Sequence, residues 1–399
     1  MMVTRSTPGA RRRPTWKHDM NAADPIYLDH NATTPVLPEV VDAILPYLRE
    51  HFGNPSSGHV YGARARSAVA RARAQVAELL GCHAEEVLFT ASGTEANNLA
   101  IVGAAHARED RREVVTTGIE HPGGARPSAL LERRGWRVTW VGVDADGRTR
   151  IDEARAAIGR ETALVTVMHS NNETGVLQPV AELAALAHEA GALMHTDAAQ
   201  SVGKIPVRVR ELDVDLLSVA GHKTYAPKGV GALYVKRGTP LAPVLVGAGH
   251  ERGLRPGTEN VASIVGLGAA CELVGRDLEA TAARLRALRE RLHQQLTAGI
   301  PGLGLNGHST LRLPNTLNVR FPRVPGAAVL EGAPEVAAST GSACHEGQES
   351  ASAIILAMGV APEDALGSVR LTLGRGTTEE DVDRAARALA ESWRRLAKE

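Results

Sequence analysis

The chain of 399 residues is poor in lysine and cysteine and carries no net charge, and each shortage excludes something. There are 45 acidic and 45 basic residues, for a formal charge of +0. Nucleic-acid and membrane-surface proteins usually carry a basic excess, so neither role is expected. No apolar run reaches the roughly 18 residues that span a bilayer. The three cysteines, Cys82, Cys271 and Cys344, are too few and too scattered for a disulfide framework or a zinc site, and no metal is expected. A cysteine in a loop is free to serve as a nucleophile instead. Of the 45 basic side chains only six are lysines. One of them, Lys223, follows a histidine in the Gly-bounded loop GHKTYAPKG after the apolar run DLLSVA. A lysine placed there has a task arginine cannot perform.

What is present is ordinary for a globular protein. Hydrophobic residues make up 43% and charged residues 23%, and the length suggests two or three lobes at roughly 150 residues each. The basic leader MMVTRSTPGARRRPTWKHD lacks the apolar core of a secretory signal. Residues 1–24 are expected to be a disordered tail, or an early start upstream of Met20, and the protein to be cytoplasmic. The RRR run in the tail reads as solvated.

Strand-like runs alternate with alanine-rich helical stretches. EEVLFTA (85–91), REVVTTG (112–118), WRVTWVGV (136–143), TALVTVM (162–168), ALMHTD (192–197) and DLLSVA (215–220) read as strands. EANNLAIVGAAHAR (95–108) and VAELAALAHEAG (180–191) read as helices. Such alternation predicts an α/β fold with a mainly parallel sheet flanked by helices. Ligands bind such sheets at the carboxyl ends of the strands. A long Arg-rich amphipathic helix (278–296) opens a second, smaller part, with a strand at 313–321 and a last surface helix at 381–399. The helix in AAVLEGAPEV must be short or broken, because Gly332 and Pro334 interrupt it.

Four signals fall just after predicted strands. The Lys223 amine can form a Schiff base, and desolvation would make it nucleophilic; the alternative is a lysine that snorkels or pairs with a carboxylate. Asp197 ends an apolar strand and needs a cation, which a protonated pyridine nitrogen would supply; the alternative is a helix cap. Gln200, three residues on, can donate to a phenolate oxygen. In FTASGTEANN, Gly93 and Thr94 open a helix whose amides suit a phosphate, and Thr94 is also a candidate cap. His121 in GIEHPGG can stack on a flat ring and move protons, or be structural. Together these are the parts of a pyridoxal phosphate site.

The sequence resembles the cysteine desulfurases of the NifS/IscS type, class-V aminotransferase relatives within the fold-type I pyridoxal phosphate enzymes. The resemblance runs from Ile26 to about Asp383 through IYLDHNATTPVLPEV, FGNPSSGH, FTASGTEANN, EHPGGA, HSNNETGVLQPV, HTDAAQSVGK, GHKTYAPKGVGALYV, ERGLRPGTENV, LPNTLNVRF, STGSACHEG and VRLTLGRGTTEEDVD. It implies a large cofactor-binding domain over 33–277. A smaller domain, 25–32 with 278–399, would carry the cysteine loop. Lys223 would hold pyridoxal 5'-phosphate, Asp197 pair with its ring nitrogen, Gln200 with its ring oxygen, and His121 stack on it. Thr94 and His222 would hold the phosphate, with Thr258 reaching it from the other protomer of a homodimer with shared sites. Asn172 would lie beside ring oxygen and substrate, and Arg370 would clamp the carboxylate of L-cysteine. The Cys344 thiolate would take sulfur as a persulfide and leave L-alanine. A sulfur-acceptor protein would follow, in iron–sulfur cluster assembly, tRNA thiolation or a dedicated sulfur pathway.

Three departures stand out. Ala220 replaces the serine that family members usually place three residues before the lysine. His345 and Glu346 follow Cys344 where small residues are usual. The chain ends at Glu399 without the longer tail of housekeeping members, which leaves the acceptor open. Rival readings are a transaminase of the same fold, which has no use for Cys344, a selenocysteine or C–S lyase, which would release selenide or sulfide without a persulfide, and a degenerate binding subunit, which would have lost Lys223, Asp197 or Cys344.

Overall fold

Seven strands form the central sheet of this protein, a computed structural model that describes residues 24–341 and 351–398. In chain order the strands are β1 (Ile26–Tyr27), β2 (Val87–Thr90), β3 (Glu113–Thr117), β4 (Arg137–Val141), β5 (Thr162–Thr166), β6 (Leu193–Asp197), β7 (Leu216–Ala220), β8 (Gly231–Val235), β9 (Gly304–Leu305), β10 (Thr316–Arg320), β11 (Val336–Ala337) and β12 (Ser368–Thr372). The large sheet has the order β2-β8-β7-β6-β5-β3-β4. All its neighbours pair in parallel except at β8, which runs antiparallel to both β2 and β7. The sequence motif GVGALYV carries no mark of that reversal. The strand read at 85–91 begins only at Val87, because Ala84–Glu86 makes a single tight turn.

Parallel strands must bury both faces, and the residue pattern does so. Leu217 and Val219 of β7, Val165 of β5 and Val115 of β3 enter one core, together with Val69, Val76 and Leu267. Their chain neighbours Leu216, Leu164 and Val114 enter another, against Leu99, Ile101 and Ala104 of the helix Gly93–Ala107. Each fully buried aliphatic side chain contributes about 1.5–3 kcal/mol.

A third core joins Ile26 and Leu28 to residues 285–393. Leu285, Leu288, Leu292 and Leu296 recur at helical spacing along the helix Leu278–Gly299 and pack there with Val382, Leu389 and Trp393 of the helix Glu379–Leu396. Thr378 and Asp381 close the latter's start as a capping box. The small sheet β12-β10-β9 lies against this core. The helix Gly326–Glu331 has six residues and ends at Gly332, as the interrupted sequence requires. Among the described residues, no helix is long and apolar enough to cross a membrane, and no three His, Cys, Asp or Glu side chains gather as a metal site.

Candidate active site

Gly93, Thr94, His121, Asn172, Asp197, Gln200, His222 and Lys223 lie at or just after the carboxyl ends of β2, β3, β5, β6 and β7. After β2 comes the helix Gly93–Ala107. Its cap is Ser92, whose Oγ accepts from Glu95 N at 3.1 Å; the cap expected at Thr94 therefore lies two residues earlier. Thr94, in the first turn, keeps an exposed hydroxyl at the helix mouth. Gly93 is buried, and a methyl on it would lie 3.0 Å from Ala220 Cβ, so a side chain there would crowd the end of β7.

After β3, His121 caps the helix Pro122–Arg133. Its Nδ1 accepts from Gly123 N at 3.0 Å, which leaves the neutral ring's proton on Nε2. A methyl built on Gly123 would lie 3.0 Å from His121 Nδ1, 3.3 Å from Thr94 Oγ1 and 3.4 Å from Asn97 Nδ2. The three groups thus meet at one point. Burial pushes His121 below the ordinary imidazole range; Lys223 adds to this and Asp197 opposes it. A cleft of about 440 Å³ opens from here, lined by Thr94, Asn98, His121, Arg126 and Arg133 among others.

Asp197 ends β6. Its Oδ1 accepts from Ala199 N at 2.9 Å, and its Oδ2 accepts from Asn97 Nδ2 at 2.7 Å. The first contact is the local turn that the capping alternative foresaw. The second comes from a residue the sequence reading passed over. Asn97 lies one turn after Thr94 on the same helix face, which was the available signal.

Lys223 closes the short turn Gly221–Lys223 after β7. Among the described residues no hydrogen bond or ion pair holds its Nζ. Burial lowers its amine below the usual lysine range; Asp197 opposes the shift and Arg370 adds to it. Next to it Tyr225 is buried and holds φ 63, a left-handed backbone that a bulky residue adopts only when its surroundings enforce it. Here Tyr225 N donates to Thr34 Oγ1 at 2.8 Å and its hydroxyl accepts from Arg375 N at 2.8 Å. His222 sits 3.2 Å from Thr33 Oγ1 through Nδ1, and burial with three neighbouring lysines lowers it to about 4.

The far wall comes from the N-terminal segment, the loop after β5 and the small sheet. Arg370 on β12 donates to Asp29 Oδ1 at 2.8 Å and to Asn172 O at 3.1 Å. Gln200 is buried and donates through Nε2 to Asn31 O at 2.9 Å. Glu120, behind His121, was also missed: it accepts from Thr117 Oγ1 and Met168 N, and burial pushes its carboxyl up to about 8.

A model of the family described as aminotransferase class-V matches residues 26–385. The chain belongs to the class-V aminotransferases. Within that family it falls among the cysteine desulfurases. It is 46% identical over 373 residues to a cysteine desulfurase of Trichormus azollae, with 93% of each chain covered. It is 48% identical over 369 residues to that of Gluconacetobacter diazotrophicus, with 92% of each covered. The solved structure of a NifS-like protein superposes with a TM-score of 0.86 at 34% identity, covering 92% of this chain and 98% of the other. Class-V aminotransferases generally use pyridoxal phosphate, and the architecture here is that of the fold-type I enzymes.

The residues present fit that cofactor. Among the described residues, Asn172 Oδ1, Asn97 Oδ1 and Arg370 Nε are buried polar atoms without a hydrogen-bond partner, and Lys223 Nζ has none either. A buried polar atom without a partner is costly, and for these atoms at the site a bound ligand can supply one. Thr258 is exposed and makes no hydrogen bond among the described residues. Cys344 lies outside the described residues.

Proposed function

We propose that the chain is a pyridoxal phosphate-dependent cysteine desulfurase that converts L-cysteine to L-alanine and passes the sulfur to Cys344 as a persulfide. The observation that carries this reading is the unpartnered Lys223 amine, set among strand ends where it and Asp197 both influence His121. Lys223 holds the cofactor. Asp197 holds the proton on the ring nitrogen, and Asn97 keeps that carboxylate aimed. Gly93, Thr94 and His222 hold the phosphate, and Thr258 reaches it from the second protomer of a homodimer. Gln200 donates to the ring oxygen, with Asn172 beside it. When bound, the cofactor draws electrons from the substrate's α-carbon and so weakens the neighbouring bonds.

This chain's side chains do the rest. Arg370 offers its fork to the substrate carboxylate. His121, uncharged, can give the proton on Nε2. The Cys344 thiolate attacks the substrate sulfur: a sulfur–sulfur bond forms, the carbon–sulfur bond breaks, and the carbon takes a proton to become the methyl of alanine. The sulfur then goes to an acceptor protein, in the cytoplasm. Mixing the protein with L-cysteine and no reductant should yield alanine and a Cys344 peptide heavier by one sulfur atom. A bound cofactor with no sulfur on that peptide would favour a transaminase or a simple lyase.

Two further outcomes follow from the geometry. An amine attacks only when unprotonated. Because burial lowers Lys223, capture of pyridoxal phosphate by the apoprotein should speed up as pH rises and level off below 10.5, the ordinary lysine value. A rate still climbing above that value would overturn the assignment. The second concerns Ala220, which is buried and lacks the family's hydroxyl. Ala220→Ser should tighten cofactor binding about tenfold, since one added hydrogen bond contributes roughly 1–1.5 kcal/mol. Weaker binding would mean that Gly93 leaves the hydroxyl no room.

A further inference from the structure

Lys204 is another of the six lysines. It is buried, yet among the described residues no carboxylate pairs with it. Its Nζ donates to two side-chain carbonyls instead, Gln200 Oε1 at 2.8 Å and Asn31 Oδ1 at 2.9 Å. A methionine would fill the same space without the cost of burying an amine, so the donors themselves have a purpose.

We infer that Lys204 is a positioning residue: it fixes the Gln200 amide so that an N–H, not the carbonyl oxygen, faces the cofactor's phenolic oxygen. The inference rests on the role proposed for Gln200. Two contacts set that amide. Asn31 O can only accept, and it takes Nε2 at 2.9 Å. The Lys204 amine donates to Oε1. Turning the amide over would set oxygen against oxygen at Asn31 and donor against donor at Lys204. One N–H of Nε2 is thereby used, and the second is left for an acceptor.

The same amine steadies the opposite wall. Asn31 Oδ1 also accepts from Asn315 Nδ2 at 3.2 Å, while Asn31 Nδ2 donates to Thr316 Oγ1 at 2.9 Å and to Asn172 O at 3.3 Å. Asn172 O is the carbonyl that Arg370 also meets. Lys204 therefore bridges the group beside the ring oxygen and the backbone beneath the carboxylate clamp. Burial, with Lys223 and Arg370 nearby, holds its amine well below the usual lysine range.

The test is spectroscopic, on holoprotein. A donor to the phenolic oxygen favours the cofactor form present at high pH. Lys204→Met should therefore raise the midpoint of the visible-band pH titration by about one pH unit, the equivalent of one hydrogen bond, and weaken cofactor binding about tenfold. Gln200→Leu should do the same. In the double variant the Lys204 change should add nothing. Lys204→Gln keeps a donor on a shorter stem and should shift the band partway; it also serves if the methionine variant does not fold. A moved band in Gln200→Leu with none in the Lys204 variants would overturn the inference alone, as would equal Lys204 effects with and without Gln200. An unmoved band in Gln200→Leu would overturn the reading of Gln200, and the inference with it.

Discussion

Lys223→Ala is expected to reduce desulfuration of L-cysteine by at least about 10⁴-fold, the loss typical when a covalent or proton-transfer group is removed from a preorganised site. The visible band of lysine-bound cofactor should vanish with it. The fold should survive. Lys223 Nζ has no protein partner among the described residues, so its removal strips no hydrogen bond from the native state and relieves a desolvated amine. Thermal unfolding and the visible spectrum, measured beside the rate, separate loss of chemistry from loss of structure. A normal rate in a folded variant would end the Schiff-base assignment and return Lys223 to the snorkelling alternative.

Arg370→Ala is expected to raise the KM for L-cysteine by about 100-fold or more while the visible band stays. Each hydrogen bond to a charged group contributes roughly 1.5–3 kcal/mol, and a guanidinium fork makes two. Arg370→Lys should not rescue binding, because an ammonium cannot reproduce the planar pair. The structure adds a reason why the effect falls on KM. Arg370 is held by Asp29 and Asn172 O and, among the described residues, makes no hydrogen bond to the Gly93–Ala107 helix proposed to seat the phosphate. An unchanged KM would place the carboxylate elsewhere.

The strands, the loops after them and the lysine were legible because each is a local pattern. β7 reads as LLSVA whatever lies beside it, and a strand end followed by glycine announces a turn toward ligand. What could not be read is what depends on neighbours distant in the chain. β8 looks like any buried strand, and only pairing decides that it runs antiparallel between β2 and β7. Ser92 and Thr94 both offer a hydroxyl, and the phase of the helix chose between them. Asn31, Gln200, Asn172 and Arg370 form one network from four motifs that were each recognised separately. Lys204 stood inside a quoted motif and was passed over, although the scarcity that singled out Lys223 applied to it equally.

Gly231 opens β8 and lies in register with Thr90 of β2 on one side and Ala220 of β7 on the other. A single added methyl there would come within 2.7 Å of both the Ser92 carbonyl carbon and Val219 O. The helix mouth and the lysine turn therefore stand on opposite sides of a strand that begins with no side chain. Gly231 works as a gauge block between two jaws. On the proposed function the jaws would suit a molecule whose aldehyde and phosphate are a fixed span apart, because the strand between them begins as bare backbone. Growth of that one residue by a carbon atom would reset the grip at both ends together, without touching any group that performs chemistry.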